Sequence, residues 1–475
     1  MTRRQVTARR FVPLGRPGRM RRTLRPMKRI ALLLLPLLLP AASVAAADAP
    51  VLTLLEAYRL AREHDAVIGA ARAARNAGSE KRIQGRALLL PSLSVSANTV
   101  YNDLDVQYSQ TGPIFPNGVH RYHSDGAEVT LTQPLYRSSS YAQYKQSKVL
   151  SQQARTQYAA AEQDLIQRVA QAYFEVLLAR DSVAFLEAQA AAVQTDLARA
   201  RREFELGGAS VVDEREAQAR YDAIQAQLIA GRGDLEIRTQ ALAKLIGRAP
   251  GPLASLREPM TLSPPEPRDT AAWEDAAERN SLDVALARQA LQIAKDEVDR
   301  QRGASRPTLD LVASYSSSNQ NDSAFGVGID STTKLVGLSV QMPLYAGGAL
   351  DSRVREAAAN LEKAQEEYTE AVRRTRLNAN AAYLQTMSSR AQEAALEQTV
   401  GSSESLLAAT RRGFEVGRRT SLDVLNAEQM LYGARRDLAA AKYAFFLSRI
   451  RLSAVAGHLT PADVETLDQF LDHGR

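Results

Sequence analysis

Cysteine is absent from the 475 residues of this sequence. Its absence excludes a thiol nucleophile, a thiolate-bound metal and a lipidated N-terminal cysteine. Histidine is scarce, with 5 residues, and only His120 and His123 lie close together. We interpret this pair as solvated loop residues, because a metal site would need a third ligand nearby. The sequence therefore predicts no metal site and no cofactor.

Catalytic motifs are missing as well. The sequence contains no Walker loop, no Gly-x-Ser-x-Gly and no His-Glu-x-x-His motif. Its carboxylates lie mostly among arginines and lysines, which is the pattern of solvated helix faces. We predict that the protein is not an enzyme.

Long apolar runs are limited to one segment near the start. Residues 30–39 are apolar, follow Met-Lys-Arg at 27–29 and precede three alanines at 45–47. This order is typical of a secretory signal peptide, and the run is too short for a bilayer-spanning helix of about 20 residues. We expect a signal peptide over 1–47, with translation from Met1 or Met27; a non-cleaved anchor is the alternative. Any insertion of the remaining chain into a membrane must use β-strands.

The excess of positive charge belongs to that leader. Of the 60 basic side chains 11 lie in residues 1–47, and the remaining 49 are outnumbered by 53 acidic ones. The net charge of the rest of the chain is then −4. It gives no reason to expect nucleic-acid binding.

What the sequence does contain is an internal repeat. Phe-Glu-Leu-Gly at 204–207 returns as Phe-Glu-Val-Gly at 414–417, and Pro-Leu-Tyr at 134–136 returns at 343–345. In each half the residue pattern predicts a helix, a β-hairpin, a very long helix and another helix, in that order. The first repeat is expected over 48–246, with a hairpin at about 91–135, a long helix at about 139–206 and a helix at about 211–246. A Pro/Gly-rich linker follows at 247–270. The second repeat is expected over 271–457, with a hairpin at about 307–344, a long helix at about 350–416 and a helix at about 421–456, and the C-terminal tail covers 458–475.

The long helices carry the seam of a coiled coil. Between 165 and 204 apolar residues recur at alternating spacings of four and three, which favours a rod of about 100 Å packed against other helices. The seam consists of Leu165, Val169, Ala172, Val176, Ala179, Val183, Leu186, Ala190, Val193, Leu197, Ala200 and Phe204. The seam of the second long helix admits Ser389, Glu393, Ser403 and Thr410. These polar residues either tune the packing or face water in a hollow assembly.

The predicted strands alternate apolar and polar residues. In the first strand Leu93, Val95 and Ala97 alternate with serines, and the other three strands show the same pattern. Such strands fit a transmembrane barrel with a wet lumen, or a sheet packed on a soluble core. The first is favoured because the helices already pack on one another. Four strands cannot close a barrel, so several chains must share one.

One turn motif is specific. In residues 414–427, Gly417 can end a helix in the left-handed conformation, and Thr420 or Ser421 can cap the next helix. A well-made helical hairpin with no further role is the alternative. Together with the leader, the duplicated order and the Pro-Leu-Tyr segments, the pattern V-G-x-R-T-x-x-D-V-L-x-A resembles the TolC family of outer-membrane efflux ducts over Val51 to Gly457.

The resemblance implies a mainly α protein with a membrane β part. Three chains would share a 12-strand transmembrane barrel in outer-membrane lipid and a 12-helix coiled-coil tunnel in the periplasm. Such a homotrimer is a passive channel for efflux or type I secretion, and it works with an inner-membrane transporter and a periplasmic adaptor (membrane fusion protein). The exported substrate and the particular pump are not implied. A periplasmic coiled-coil adaptor or scaffold without a barrel is the alternative.

The resemblance also implies a gate where the helical turns converge. Arg419 would pair with Asp213, with Phe414 beside them. Asn426 stands where the family's best-known pattern has an acidic residue, so a cation-blocking ring at that position is in doubt. The candidates for the gate are Asp213, Phe414, Arg419, Asp423 and Asn426, and the turn glycines are Gly207 and Gly417.

Overall fold

The computed structural model describes residues 51–107, 109, 117–207, 210–257, 259–323 and 327–472. The predicted signal peptide and most of the first hairpin loop lie outside the described residues. The helices are α1 Leu54–His64, α2 Ala66–Ala87, α3 Ser138–Glu205, α4 Val211–Ile246, α5 Thr270–Asn280, α6 Leu282–Gly303, α7 Ala349–Glu415, α8 Ser421–Val455 and α9 Pro461–Asp468. The strands are β1 Ser92–Val106, β2 Gly118–Tyr136, β3 Thr308–Gln320 and β4 Ile329–Gln341. Within these ranges, no helix is both long enough and apolar enough to cross a bilayer.

The structure contains two very long helices. Helices α3 and α7 have 68 and 67 residues, which corresponds to about 100 Å each. Each folds back onto a shorter partner, α4 and α8, and α3 also contacts α8. Nine of the twelve seam residues of α3 are buried, Ala172 and Leu186 are half-buried and Phe204 is exposed near the end of the helix. The four polar seam residues of α7 are buried too, so within this chain they are packing positions.

Each half begins with two helices where the sequence pattern predicted one. Asp65 ends α1 and its carboxylate accepts a hydrogen bond from Ile68 N at 3.2 Å, which starts α2. Ser281 does the same between α5 and α6, with its hydroxyl accepting from Asp283 N at 3.3 Å. A residue that ends one helix and caps the next bends the chain without Gly or Pro.

A pair of repeat-related glycines has the same role in both halves. Gly247 follows α4 with φ 76°, and Gly457 follows α8 with φ 72°. A Cβ on Gly247 would lie 2.7 Å from His64 at the end of α1, and one on Gly457 would lie 2.2 Å from the carbonyl oxygen of Asn280 at the end of α5. Only glycine fits both the left-handed conformation and the close approach.

The four strands form one antiparallel sheet in the order β1-β2-β3-β4. The two hairpins are joined by β2 and β3, with Val129 opposite Tyr315. One edge of β1 and one of β4 have no strand partner among the described residues. His120 and His123 lie in β2, opposite Leu104 and Tyr101. The loop interpretation is therefore wrong, and a spacing of three puts the two imidazoles on opposite faces of the sheet.

The register places most apolar residues of the four strands on one face, with exceptions such as Val100, Leu104 and Leu335 on the other. Leu93, Leu131, Ala313 and Val336 form one row across the sheet. The large aliphatic side chains of this face on β1, β2 and β4 for which an exposure is given are 36–77% exposed, from Val129 to Val336, whereas Leu309 and Leu311 on β3 are half-buried. Because this face is left uncovered within the chain, packing on a soluble core does not explain the alternation.

The predicted linker and tail pack into the main core. Leu256 of the linker bridges to Leu471 of the tail, and the tail carboxylate Asp468 accepts from Leu55 N at 3.1 Å. The Tyr173 hydroxyl of α3 lies 2.9 Å from the carbonyl oxygen of Leu52 and 3.0 Å from that of Ala254. This one side chain therefore ties both the N-terminal segment and the linker to the long helix.

We expect Tyr173→Phe to lower the free energy of unfolding by about 1–3 kcal/mol, because the one buried hydroxyl proton shared between the carbonyl oxygens of Leu52 and Ala254 is lost. Tyr383→Phe is the matched control, since that hydroxyl donates to one half-buried carbonyl, of Arg268, at 2.9 Å. Thermal unfolding followed by helical circular dichroism measures both. Equal losses for the two variants would contradict the assigned role of Tyr173.

Candidate functional site

The ends of the two long helices are built alike. Gly207 with φ 75° and Gly417 with φ 70° take the left-handed conformation that ends a helix. Gly207 N donates to Phe204 O at 3.0 Å, and Gly417 N donates to Phe414 O at 2.9 Å. Both turn glycines therefore lie at the ends of the long helices.

Each following helix begins with a reciprocal cap. In the second turn Thr420 Oγ1 accepts from Asp423 N at 3.2 Å, and Asp423 Oδ2 accepts from Thr420 N at 2.9 Å. In the first turn Ser210 Oγ accepts from Val212 N at 3.1 Å, and Asp213 Oδ2 accepts from Ser210 N at 3.0 Å. Of the two candidates for the second cap, Thr420 is the one used. The two predicted gate carboxylates thus already hold their own helix starts.

Backbone and hydroxyl donors of Thr420 lower the pKa of Asp423, and nearby Arg419 contributes to the same effect. A lowered pKa means that the cap is intact above the ordinary carboxyl range and is lost as the pH falls through the lowered value.

Arg419 lies along the end of its own long helix. Its Nη1 is 4.0 Å from Asp423 Oδ1, and its aliphatic stem crosses Gly413, where a Cβ would come within 2.8 Å of Arg419 Cγ. The structure thus pairs Arg419 with the cap of its own turn. A link from Arg419 to Asp213 stays a prediction.

A cavity of about 220 Å³ separates the two turns. Phe414 and Asp213 both line it, so the structure brings these two candidates together. The Arg199 guanidinium carbon lies 5.8 Å from the centre of the Phe414 ring. The other residues of the lining are Asp196, Ala200, Glu203, Thr420, Ser421 and Val424. The cavity is acidic, with one aromatic wall.

Asn426 connects the two helical hairpins. Its Oδ1 accepts from an Arg220 guanidinium nitrogen of α4, and a second nitrogen of Arg220 donates to Gln429. Asn426 itself is exposed. A neutral amide at this position therefore serves as an acceptor for a cation from the neighbouring hairpin.

A buried ionic cluster just above the turns escaped the sequence prediction. Glu428 of α8 is 1% exposed, and its Oε1 lies 2.5 Å from Arg411 Nη2 of α7. The Asp196 carboxyl group of α3 lies close to both Glu428 and Arg411. Burial raises the pKa of Glu428 and of Asp196. The sequence does contain a sign that Glu428 is buried. It lies four residues after Val424 and three before Leu431, which are both buried, so it occupies the apolar stripe of its helix.

The match to a family model decides the affiliation. The model, described as outer membrane efflux protein, matches residues 57–248 and 273–458. The chain belongs to the outer membrane efflux protein family.

Relatives of this outer membrane efflux protein are channels and secretion proteins. It is 33% identical to alkaline protease secretion protein AprF of Pseudomonas aeruginosa, over 88% of this chain and 87% of the relative. It is 31% identical to outer membrane protein TolC of Vibrio cholerae, over 86% of this chain and 92% of the relative.

Solved structures show the same fold. The crystal structure of outer membrane protein VceC from Vibrio cholerae superimposes with a TM-score of 0.72, at 20% identity, covering 85% of this chain and 96% of that one. The chain is a TolC-family outer membrane protein, with its helical part in the periplasm. A periplasmic adaptor without a membrane part is not favoured.

We expect Thr420→Ala to weaken the start of α8 by about 1 kcal/mol, because an N-cap acceptor is lost. Hydrogen exchange of the amides at 421–425 should become faster. Ser421→Ala is the control, since Thr420 and not Ser421 caps this helix. Protection in both variants should fall in acid as Asp423 protonates. Unchanged exchange in Thr420→Ala would show that the cap does not stabilise the turn.

Proposed function

We propose that three copies of this chain form a passive duct across the outer membrane and the periplasm, serving a tripartite efflux or type I secretion system. The observation that carries the proposal is the sheet: its four strands have two open edges and an uncovered apolar face. Open edges are not tolerated in hydrocarbon, because every backbone polar group there needs a partner. Pairing β1 of one chain with β4 of the next satisfies both edges, and three chains supply 12 strands.

The helices support the tunnel. Helices α3, α4, α7 and α8 run away from the sheet and end in the two capped turns, so three chains bring 12 helices to the periplasmic end. The seams hold each chain's rods together. In this duct the polar strand face lines the water-filled lumen, and the apolar face contacts outer-membrane lipid.

The gate is proposed at the turns. The contacts there are polar and few, with Arg419 near Asp423 and Arg220 on Asn426. When chains converge, Arg419 can exchange its own-turn partner for Asp213 of a neighbouring hairpin. Opening is then a two-state rearrangement of helix pairs, biased by partner contact.

We propose that the end of the molecule with the two turns also binds the partner proteins. Leu206 and Val416 occupy equivalent places in the two turns and are 86% and 69% exposed. Exposed apolar side chains at a helical tip suit contact with a periplasmic adaptor, which in turn recruits an inner-membrane transporter that supplies the energy. The duct itself needs no catalysis and no cofactor. The name of the Pseudomonas aeruginosa relative, a protease secretion protein, supports a protein as cargo.

Cross-linking tests the shared barrel. The absence of cysteine means that introduced cysteines are the only thiols. Ser94→Cys in β1 is combined in turn with Ser331→Cys, Leu335→Cys or Ser339→Cys in β4, and the native assembly is treated with a flexible bis-maleimide. We expect at least one pair to give a ladder that ends at three chains, because the edges meet only between chains.

The matched control is Thr130→Cys with Ser314→Cys, which are register partners in β2 and β3 and should cross-link within one chain. A ladder ending at another number, or none while the control reacts, would contradict a trimer closed through β1 and β4.

Conductance tests the gate. We expect Arg419→Ser to raise the single-channel conductance of the purified protein in planar bilayers, because a polar link that holds the turns closed is lost. Arg418→Ser removes the same charge one residue earlier and should leave conductance near that of the unsubstituted protein. If both variants behave alike, the closure does not depend on Arg419.

A further inference from the structure

Three helices meet at the buried cluster above the turns. Asp196 comes from α3, Arg411 from α7 and Glu428 from α8, so the cluster joins the α3/α4 hairpin to the α7/α8 hairpin. Glu428 Oε1 is occupied by Arg411 Nη2 at 2.5 Å, and Asp196 Oδ1 lies 3.6 Å from Arg199 Nη1. Each carboxyl group therefore has one oxygen facing a cation.

The second oxygen of each group is buried without a donor. Neither Asp196 Oδ2 nor Glu428 Oε2 receives a hydrogen bond from the described part of the chain. Yet the Asp196 and Glu428 carboxyl groups lie close enough for each to act on the charge of the other. Two carboxylates have only acceptors, so a bond between them requires a proton on one.

We propose that Asp196 and Glu428 together bind one proton, held between Asp196 Oδ2 and Glu428 Oε2, and that this shared proton latches the two helical hairpins above the gate. The protonated oxygen donates and the other accepts. The unit then carries one negative charge, which Arg411 neutralises. Loss of the proton to solvent leaves two carboxylates facing each other at the centre of the contact.

The surroundings do not supply a better counterion. The charged or titratable groups near the pair are Arg199 and Glu203 on α3, Asp213 on α4 and Arg411 on α7, and Tyr432 on α8 lies near Arg411. Arg199 and Arg411 have about half of their side chains in water, whereas Glu428 is 1% exposed. Solvated guanidinium groups compensate a buried second charge poorly.

The directions of titration agree with this geometry. Burial is the largest cause that raises the pKa of Glu428, and the Asp196 charge adds to it. Burial also raises the pKa of Asp196. A carboxyl group whose pKa is raised in the packed state stabilises that state at low pH and loses the contribution as the pH rises through the raised value. The latch therefore weakens with increasing pH, above the ordinary carboxyl values of 3.8 and 4.5.

Infrared spectroscopy of the purified assembly tests the proton directly. At pH about 6, solvated carboxyl groups are ionised. We expect a protonated-carboxyl band that persists there, shifts in D2O and disappears in both Asp196→Asn and Glu428→Gln. It disappears in each because the remaining carboxylate pairs with a guanidinium. Absence of the band, or its survival in both variants, would overturn the proposal.

Two controls make the assignment specific. Glu203→Gln removes a carboxyl group from the same side of α3 and should keep the band. Glu393 is another buried acid of α7 whose pKa is raised by burial, so all variants are compared in a Glu393→Gln background. If one of the two amide variants fails to assemble, the infrared band of the other variant still tests the shared proton, since each variant removes one carboxyl group of the pair.

The consequence for opening rests on the proposed function. Single-channel conductance of the unsubstituted protein should rise between pH 5 and pH 8, and this rise should be lost in Asp196→Asn and kept in Glu203→Gln. A pH response that survives in Asp196→Asn would overturn the latch. If no version conducts, the proposed duct fails, while the infrared band still reports on the proton by itself.

Discussion

The burial of the seam of α3 is the interaction on which the rest of the structure depends. A helix of 68 residues cannot bury its apolar stripe against itself, so it needs partners along its whole length. It finds α2 and α6 near the sheet, α1, α4 and α8 along the middle, and α4 and α8 again near the turns. The sheet and the turns are thereby held about 100 Å apart on one rigid element.

Local patterns predicted the rods and the strands well, and for a physical reason. A period of 3.5 or of 2 is set by the geometry of a single element, and tertiary context seldom overrides it over many residues. The register then brought Val129 opposite Tyr315, which no local pattern contains. The breaks at Asp65 and Ser281 were missed because a single capping side chain bends the chain there, with no glycine or proline to mark it. The signal peptide and the two-repeat boundaries remain predictions.

The residues of the candidate site likewise fall into those that local sequence patterns predict and those that they do not. Gly417 and Thr420 could be assigned from the turn sequence, because a left-handed helix end and an N-cap are local devices. The Asp196–Glu428 contact could not, since it joins side chains from two helices far apart in sequence. Of this pair, only Glu428 is recognisable from the sequence, because it is an acidic residue within the apolar stripe of its helix. An acidic residue in an apolar helical stripe therefore indicates a partner on another helix, because burial of an unpaired charge is costly.

Apolar seams and polar turns have different consequences for motion. Along the seams many side chains are buried at once, so separating the helices of one hairpin would expose a long apolar surface. At the turns the contacts are a few exposed hydrogen bonds and ion pairs, each contributing about 1 kcal/mol or less. A proposed opening that moves the ends of the hairpins against each other breaks the second kind of contact at the turns, together with the packing of Leu425 of α8 on α3. The buried carboxyl pair combines both properties, since it is a polar contact between the hairpins and is shielded from water like the seams. Its protonation state then sets how firmly the hairpins are joined, while the seams keep each hairpin intact in either state.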